Sequence, residues 1–408
     1  MTENSVPQRI AMSLPLDGVR VLDLTNVLAG PFCSFQLALL GAEVIKIEQP
    51  GTGDLARQLG ADPAWSNELM GTSFVAVNAG KQSVTINLKT PEGNRIFKEL
   101  VALSHVVLEN FRPGVMKRLG VDYSALSKIK PGIIYCAVSG FGQDGPLAMR
   151  PAYDQIIQGM SGVMSVTGDA TSAPLRVGYP VCDTVGGITA ALAICAALVD
   201  ARGSGRGRMI DVSMLEATLA SMGWIVSNYL NAGIIPTPMG NENFTAAPSG
   251  TFRAADGLLN IAANETSQYE RLCDLLGRPE LKTDPRFCDR EVRRENRSAI
   301  NQEIQRTLLT RRAAEWESLM IEAGVPAGQV LSVPEILAHS HLRERDFVTT
   351  FSDKYRTQKI ARGGFQMSGD PVRPEGPAPR LSQHTEKWLQ KLGYSPEKIA
   401  ELREKGVL

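Results

Sequence analysis

The run VRVLDLT (19–25), the helically spaced CSFQLALLGA (33–42) ending at Gly41, and EVIKIE (43–48) set a strand, a helix and a strand in immediate succession. The alternation continues through SVTINLK (83–89), the helix TPEGNRIFKELVALS (90–104) with its Thr-Pro opening and Glu92, HVVLENF (105–111) and GIIYCAVSGF (132–141). Strands separated by helices cannot pair as hairpins. They cross over and run parallel, with both faces of the sheet covered.

The expected fold is therefore α/β: a Rossmann-like large domain with an open, mainly parallel sheet, plus a smaller α+β domain. After the helical VSMLEATLASMGWIVSNYL, the stretch NAGIIPTPMGNENFTAAPSG (231–250) concentrates Pro, Gly and Asn and marks a boundary. Residues 14–230 are assigned to the N-terminal part of the large domain, 231–340 to the small one, and 341–408 to a return segment completing the first. The small domain should hold a hairpin-like pair in TFRAADGLLNIAA (251–263), turning at Asp256-Gly257, with helices in TSQYERLCDLLG (266–277), ENRSAINQEIQRTLLT (295–310) and TRRAAEWESLMIEAG. From about residue 355 the chain is richer in Pro, Gly and charge and reads as an extended tail packing back on the body.

Across 408 residues, 43 acidic and 43 basic side chains cancel, so no field favours nucleic acid or an anionic membrane surface. The start MTENSVPQRI lacks a secretory apolar core, and the most apolar stretch, 188–199, falls short of the roughly 20 residues a bilayer requires. The six cysteines contain no C-x-x-C pair, which suits reduced thiols in a cytoplasm. Only four histidines are present, three of them in the last quarter, and His105 opens an apolar strand where a structural role is favoured. Without G-x-S-x-G, H-E-x-x-H or a metal cluster, neither a serine hydrolase nor a zinc protease is supported. GSGRGR (203–208) follows a helix and precedes a strand, the reverse of a dinucleotide loop, and reads as a helix stop. GTGD (51–54) follows a strand and is a weak signal for phosphate at a helix start.

The stretch GYPVCDTVGG (178–187) places Cys182 and Asp183 ahead of the apolar ITAALAICAALV. Asp183 is an N-cap candidate, and the residues alone favour capping. The same helix start would also keep a carboxylate ionised, and an ionised carboxylate is a competent nucleophile. Gly186 and Gly187 permit close approach of a ligand or another backbone. Cys182 has no histidine near in sequence to activate it and reads as a small core residue.

PLDGVRVLDLTNVLAGPFCSFQLALLGAEVIKIEQPGTGDLAR, NAGKQSVTINLKTPEG, VVLENFRPGVMKRLG, GFGQDGP, AYDQIIQGMSG and GYPVCDTVGG resemble, in this order, the class III CoA-transferases, the family of formyl-CoA transferase. The resemblance is strong from about Pro15 to Arg208 and weaker through GNENFTAAPSGTFRAADG and LCDLLGRPEL. It implies that Asp183 is the catalytic nucleophile. It further implies CoA or substrate contacts at Ala29, Gln49, Ile86, Asn87, Leu88, Lys89, Asn110, Phe111, Arg112, Arg118, Tyr153 and Asp154. Ile86 and Leu88 also read as strand core, while the guanidiniums of Arg112 and Arg118 suit phosphates. No permanently bound cofactor is implied; coenzyme A and acyl-CoA are substrates, the second partner being a small carboxylic acid.

Leu28 stands where formyl-CoA transferases carry a glutamine, so formate and oxalate are not the expected acids, and MGNENFTAAPSG replaces their glycine-rich lid. Leu28 and Arg176 are candidate acid-binding positions, Arg176 on a strand-like run leading to Asp183. The related α-methylacyl-CoA racemases are the alternative, but their G-H-D corresponds to Ala152-Tyr153-Asp154 here, and tyrosine is a poor neutral-pH base. By resemblance, CoA passes from an acyl-CoA donor to a short-chain mono- or dicarboxylic acid through an aspartyl intermediate, succinate being the favoured donor acid. Backbone amides at the start of the helix would stabilise oxyanions. Similar proteins form homodimers of interlocked ring-like subunits, and the return segment here permits that path.

Overall fold

The computed structural model describes residues 14–368 and 370–408; the MTENSVPQRI segment read for a secretory core lies outside them. The chain divides into two compact units. One gathers the chain up to Val163, Val177–Ala232 and His341–Leu408, and the other Met164–Arg176 with Gly233–Ser340.

In the first unit, β1 (Arg20–Asp23), β2 (Glu43–Glu48), β3 (Gln82–Thr85), β4 (Val106–Glu109), β5 (Ile134–Ser139) and β6 (Met209–Ser213) form one sheet in the order β3-β2-β1-β4-β5-β6. Every neighbouring pair is parallel, the arrangement the strand–helix alternation predicts. Successive side chains of a strand point to opposite faces, so each strand feeds two cores. Val21, Val44, Val106 and Ile134 enter one, and Leu22, Ile45, Val107 and Tyr135 the other. This two-sided burial is why the strands read as continuous apolar runs.

The first core is covered by α1 (Ala29–Leu39) and the second by α2 (Pro91–Ala102), which Thr90 caps by accepting from the Gly93 N–H. Then follow α3 (Asp154–Met160), α4 (Val181–Ser204), α5 (Met214–Ser221) and α6 (Gly223–Ala232). The apolar stretch read as 188–199 is the middle of α4, which extends to 24 residues and is long and apolar enough, by length and composition, to cross a membrane. In this fold its Gly187, Ala190 and Ile194 are buried, and Ala190 and Ile194 join the first core. The helix stops where GSGRGR predicts, on left-handed Gly205.

The second unit carries the hairpin of β7 (Ser249–Arg253) and β8 (Leu258–Ala262), extended antiparallel by β9 (Ala327–Gln329). Its core joins Phe252, Leu259 and Ile261 to side chains from α7 (Thr266–Leu275), α8 (Arg297–Leu308) and α9 (Ala313–Glu322). MGNENFTAAPSG runs as turns and irregular chain into β7.

The return segment is more regular than the expected tail. It forms an antiparallel pair, β10 (Val348–Ser352) and β11 (Thr357–Ala361), and two helices, α10 (Thr385–Lys391) and α11 (Pro396–Glu404). Trp388, Leu389, Ile399, Leu402 and Val407 complete the second core, and the Asn87 N–H donates to the Val407 carbonyl.

Candidate active site

In a sheet of order 3-2-1-4-5-6, the connections leaving β1 and β4 diverge, opening a crevice at the carboxyl ends of those strands. A cavity of about 340 Å³ lies there. It is lined by Asn26 to Ala29 after β1, Asn110 to Pro113 after β4, Ser139 and Gly140 at the end of β5, Arg150 to Tyr153 ahead of α3, and Asp183 on α4. Asn110 fixes the first two loops together. Its Oδ1 accepts from the Asn26 N–H and its Nδ2 donates to the Asn26 carbonyl, both at 2.8 Å.

Val27 holds φ at 68°, a left-handed conformation costly for a β-branched residue. Asp54 over-determines it by accepting from the Val27 N–H at 2.9 Å. Asp54 in turn pairs with buried Lys46, while buried Asp23 pairs with Lys81. Although burial opposes ionisation of Asp23, Lys46 and Lys81 hold its carboxyl well below the usual range. In the GTGD loop, the amide at the helical turn is satisfied by Asp54 itself, and Glu48 accepts from the Asp54 N–H.

Asp183 is not a cap. Pro180 occupies the cap position and Asp183 the third helical position, with no hydrogen bond from its carboxylate to its own helix start. The first-turn donors are nonetheless engaged. The Val181 N–H donates to the Tyr179 carbonyl at 2.8 Å. The Cys182 and Asp183 N–H groups donate to Asp154 Oδ1 at 2.8 and 3.4 Å. These amides are therefore spoken for, which overturns the expectation that they stabilise oxyanions. The environment also makes ionisation of Asp183 harder than its place at a helix start suggests: burial, with the Asp154 carboxylate adding to it, pushes the Asp183 carboxyl up to about 7. Cys182 is fully buried in the first core, and burial pushes its thiol up, consistent with an inert side chain. Gly187 does admit a close backbone, since a Cβ there would stand 2.6 Å from the Ala29 carbonyl oxygen.

Of the positions implied by resemblance, Leu28, Ala29, Asn110, Phe111, Arg112 and Tyr153 line the cavity with Asp183. Asp154 does not line it. The side chain is buried, turned to the start of α4, and its Oδ2 accepts from Gln158 Nε2 at 2.6 Å. Ile86 is core and Leu88 packs against that core, although β3 ends at Thr85 and neither residue is in a strand. Asn87 Oδ1 accepts from the Lys89 N–H, and Lys89 itself is exposed, as are Gln49 and Arg118. Arg176 is exposed in the second unit, and the run 171–180 contains no strand. Asn26, Val27, Leu55 and Arg150 were not singled out from sequence. Arg150 carried a legible signal as the cation of GFGQDGPLAMRPAYD; the strain at Val27 carried none.

A family model described as CoA-transferase family III matches residues 16–385. The chain belongs to this family. It is similar to the acetyl-CoA:oxalate CoA-transferase of Acetobacter aceti, 40% identical over 89% of this chain and 90% of that protein. It is also similar to the succinyl-CoA:glutarate CoA-transferase of Mus musculus, 35% identical over 97% of this chain and 90% of that protein. A CaiB/BaiF family protein from Brucella suis shares the fold with a TM-score of 0.82, at 32% identity over 93% of this chain and all of that one. Family III enzymes of this kind are transferases that take CoA thioesters as substrates.

Proposed function

We propose that the enzyme moves CoA from an acyl-CoA donor to a short-chain dicarboxylic acid, with Asp183 as the covalent nucleophile. The observation that carries this reading is a half-buried carboxylate that accepts no hydrogen bond from the described residues and faces the crevice where α/β folds bind ligands. Arg112 and Arg150, both exposed cations on the same cavity, suit the phosphates of CoA and a distal carboxylate. Relatives that use oxalate or glutarate support the dicarboxylate. Among the described residues no histidine lines the cavity, which speaks against racemase-type proton removal.

In the proposed sequence, the Asp183 carboxylate attacks the donor thioester carbonyl and expels CoA thiolate, giving a mixed anhydride. The thiolate attacks the aspartyl carbonyl, releasing the donor acid and leaving an aspartyl-CoA thioester. The acceptor carboxylate attacks that thioester and expels thiolate again. Thiolate then attacks the acceptor carbonyl, regenerating the Asp183 carboxylate and forming the new acyl-CoA. A homodimer belongs to the same reading.

The test is a panel of acetyl-CoA and succinyl-CoA against oxalate, succinate and glutarate, read by mass spectrometry for wild type, Asp183→Asn and Cys182→Ala. Wild type and Cys182→Ala should exchange CoA, and folded Asp183→Asn should lose transfer. Full turnover in Asp183→Asn, or acyl label on Cys182, would remove the mechanism.

A further inference from the structure

We infer that Asp154 is the positioning residue for the Asp183 nucleophile, capping the first turn of α4 from α3 so that the Asp183 carboxylate stays out of its own helix's hydrogen bonding and faces the cavity. The inference rests on the nucleophile reading of Asp183 given above.

The first-turn amides of a helix need acceptors, and an acidic residue at the third helical position often turns back to the cap residue's N–H. Pro180 at the cap has no N–H to attract the Asp183 side chain and no side-chain oxygen to accept from the turn. Those amides are instead received by the Tyr179 carbonyl and by Asp154 Oδ1. Asp154 is itself held. Gln158, fully buried, donates from Nε2 to Asp154 Oδ2 and to the Tyr179 carbonyl, and accepts through Oε1 from the Val177 N–H at 2.8 Å. One amide side chain thus ties the cap to the chain entering α4. Two residues of α3 fix where Asp183 stands.

The same geometry has an electrostatic side. The elements packed on α4 carry Cys33 on α1, Asp154 on α3, Tyr135 and Cys136 on β5, Asp211 on β6 and Glu216 on α5. Beyond burial, the charge that bears on Asp183 is that of Asp154, and it opposes ionisation of the nucleophile. A direct donor contact is a different role, and it predicts different kinetics.

Succinyl-CoA with hydroxylamine serves as the probe, since hydroxylamine traps an acylated aspartate as its hydroxamate, located by peptide mapping and timed across pH. In wild type the trapping rate should rise with pH to a midpoint near 7. Asp154→Asn keeps an acceptor oxygen and loses the charge, so its midpoint should fall by about one pH unit. Gln158→Met, which loses hydrogen bonds but keeps the Asp154 charge, should retain the wild-type midpoint. Asp154→Ala should lower the saturated rate several-fold at unchanged donor KM. A wild-type saturated rate in Asp154→Ala overturns the inference, as does an effect confined to KM, which would mark a donor contact. If Asp154→Ala does not fold, Gln158→Met decides: it removes the donor that holds Asp154 Oδ2 and the Tyr179 carbonyl, so its saturated rate should fall at unchanged donor KM, and a wild-type rate overturns the inference. Absence of hydroxamate at Asp183 in wild type would instead overturn the nucleophile reading, whatever the Asp154 variants do.

Discussion

At the scale of single residues, Asp183, the proposed nucleophile, sits in a destabilising environment. Its carboxyl is held protonated up to about 7 in the folded chain but ionises near 4 when unfolded. A raised folded value means that stability from this group is complete below about pH 4 and is lost as pH rises through about 7. Asp183→Asn cannot ionise. Its melting temperature should therefore gain on wild type between pH 4 and pH 8, and parallel melting curves across that range would refute the assignment of burial as the cause. Asp183 was legible in sequence as a candidate site residue, but its charge state was not. A sequence places Asp183 at a helix start, where ionisation is favoured, and says nothing of a second carboxylate arriving from 29 residues upstream.

At the scale of elements, the sheet was readable because β-branched runs buried on two faces alternate with helices, and each strand's apolar content is local. The carboxy-terminal helices were not. Their buried residues, Trp388, Leu389, Ile399 and Leu402, are few and separated by charge, so composition hid a contribution to the core that only the packed sheet reveals. The crossing of α4 and α1 offers a sharper test. Gly187→Ala drives a Cβ against the Ala29 carbonyl, and overpacking of this kind costs about 1–3 kcal/mol. Because Ala29 lines the cavity, the donor KM should rise alongside the fall in melting temperature. Gly203→Ala, at a helical position with nothing within 4 Å, should instead stabilise by about 0.5–1 kcal/mol. Equal effects at the two glycines would count against the crossing as described.

At the scale of the whole molecule, α4 and α6 leave Leu192, Val199, Trp224 and Leu230 largely exposed, an apolar surface of the kind an obligate partner covers. The proposed homodimer predicts a two-chain mass in analytical ultracentrifugation that persists on dilution. Leu192→Glu with Leu230→Glu should give monomer or insoluble protein, and a wild-type monomer at micromolar concentration would remove the proposal. The return segment has a consequence for synthesis. β3 and its neighbours present the second core's face, yet the side chains that close it, from Trp388 to Val407, are the last part of the first unit to be translated. During translation an apolar sheet face therefore waits on the ribosome for its cover, and nascent chains halted before residue 388 should be held by chaperones or lost to aggregation even though every strand of the sheet has already emerged.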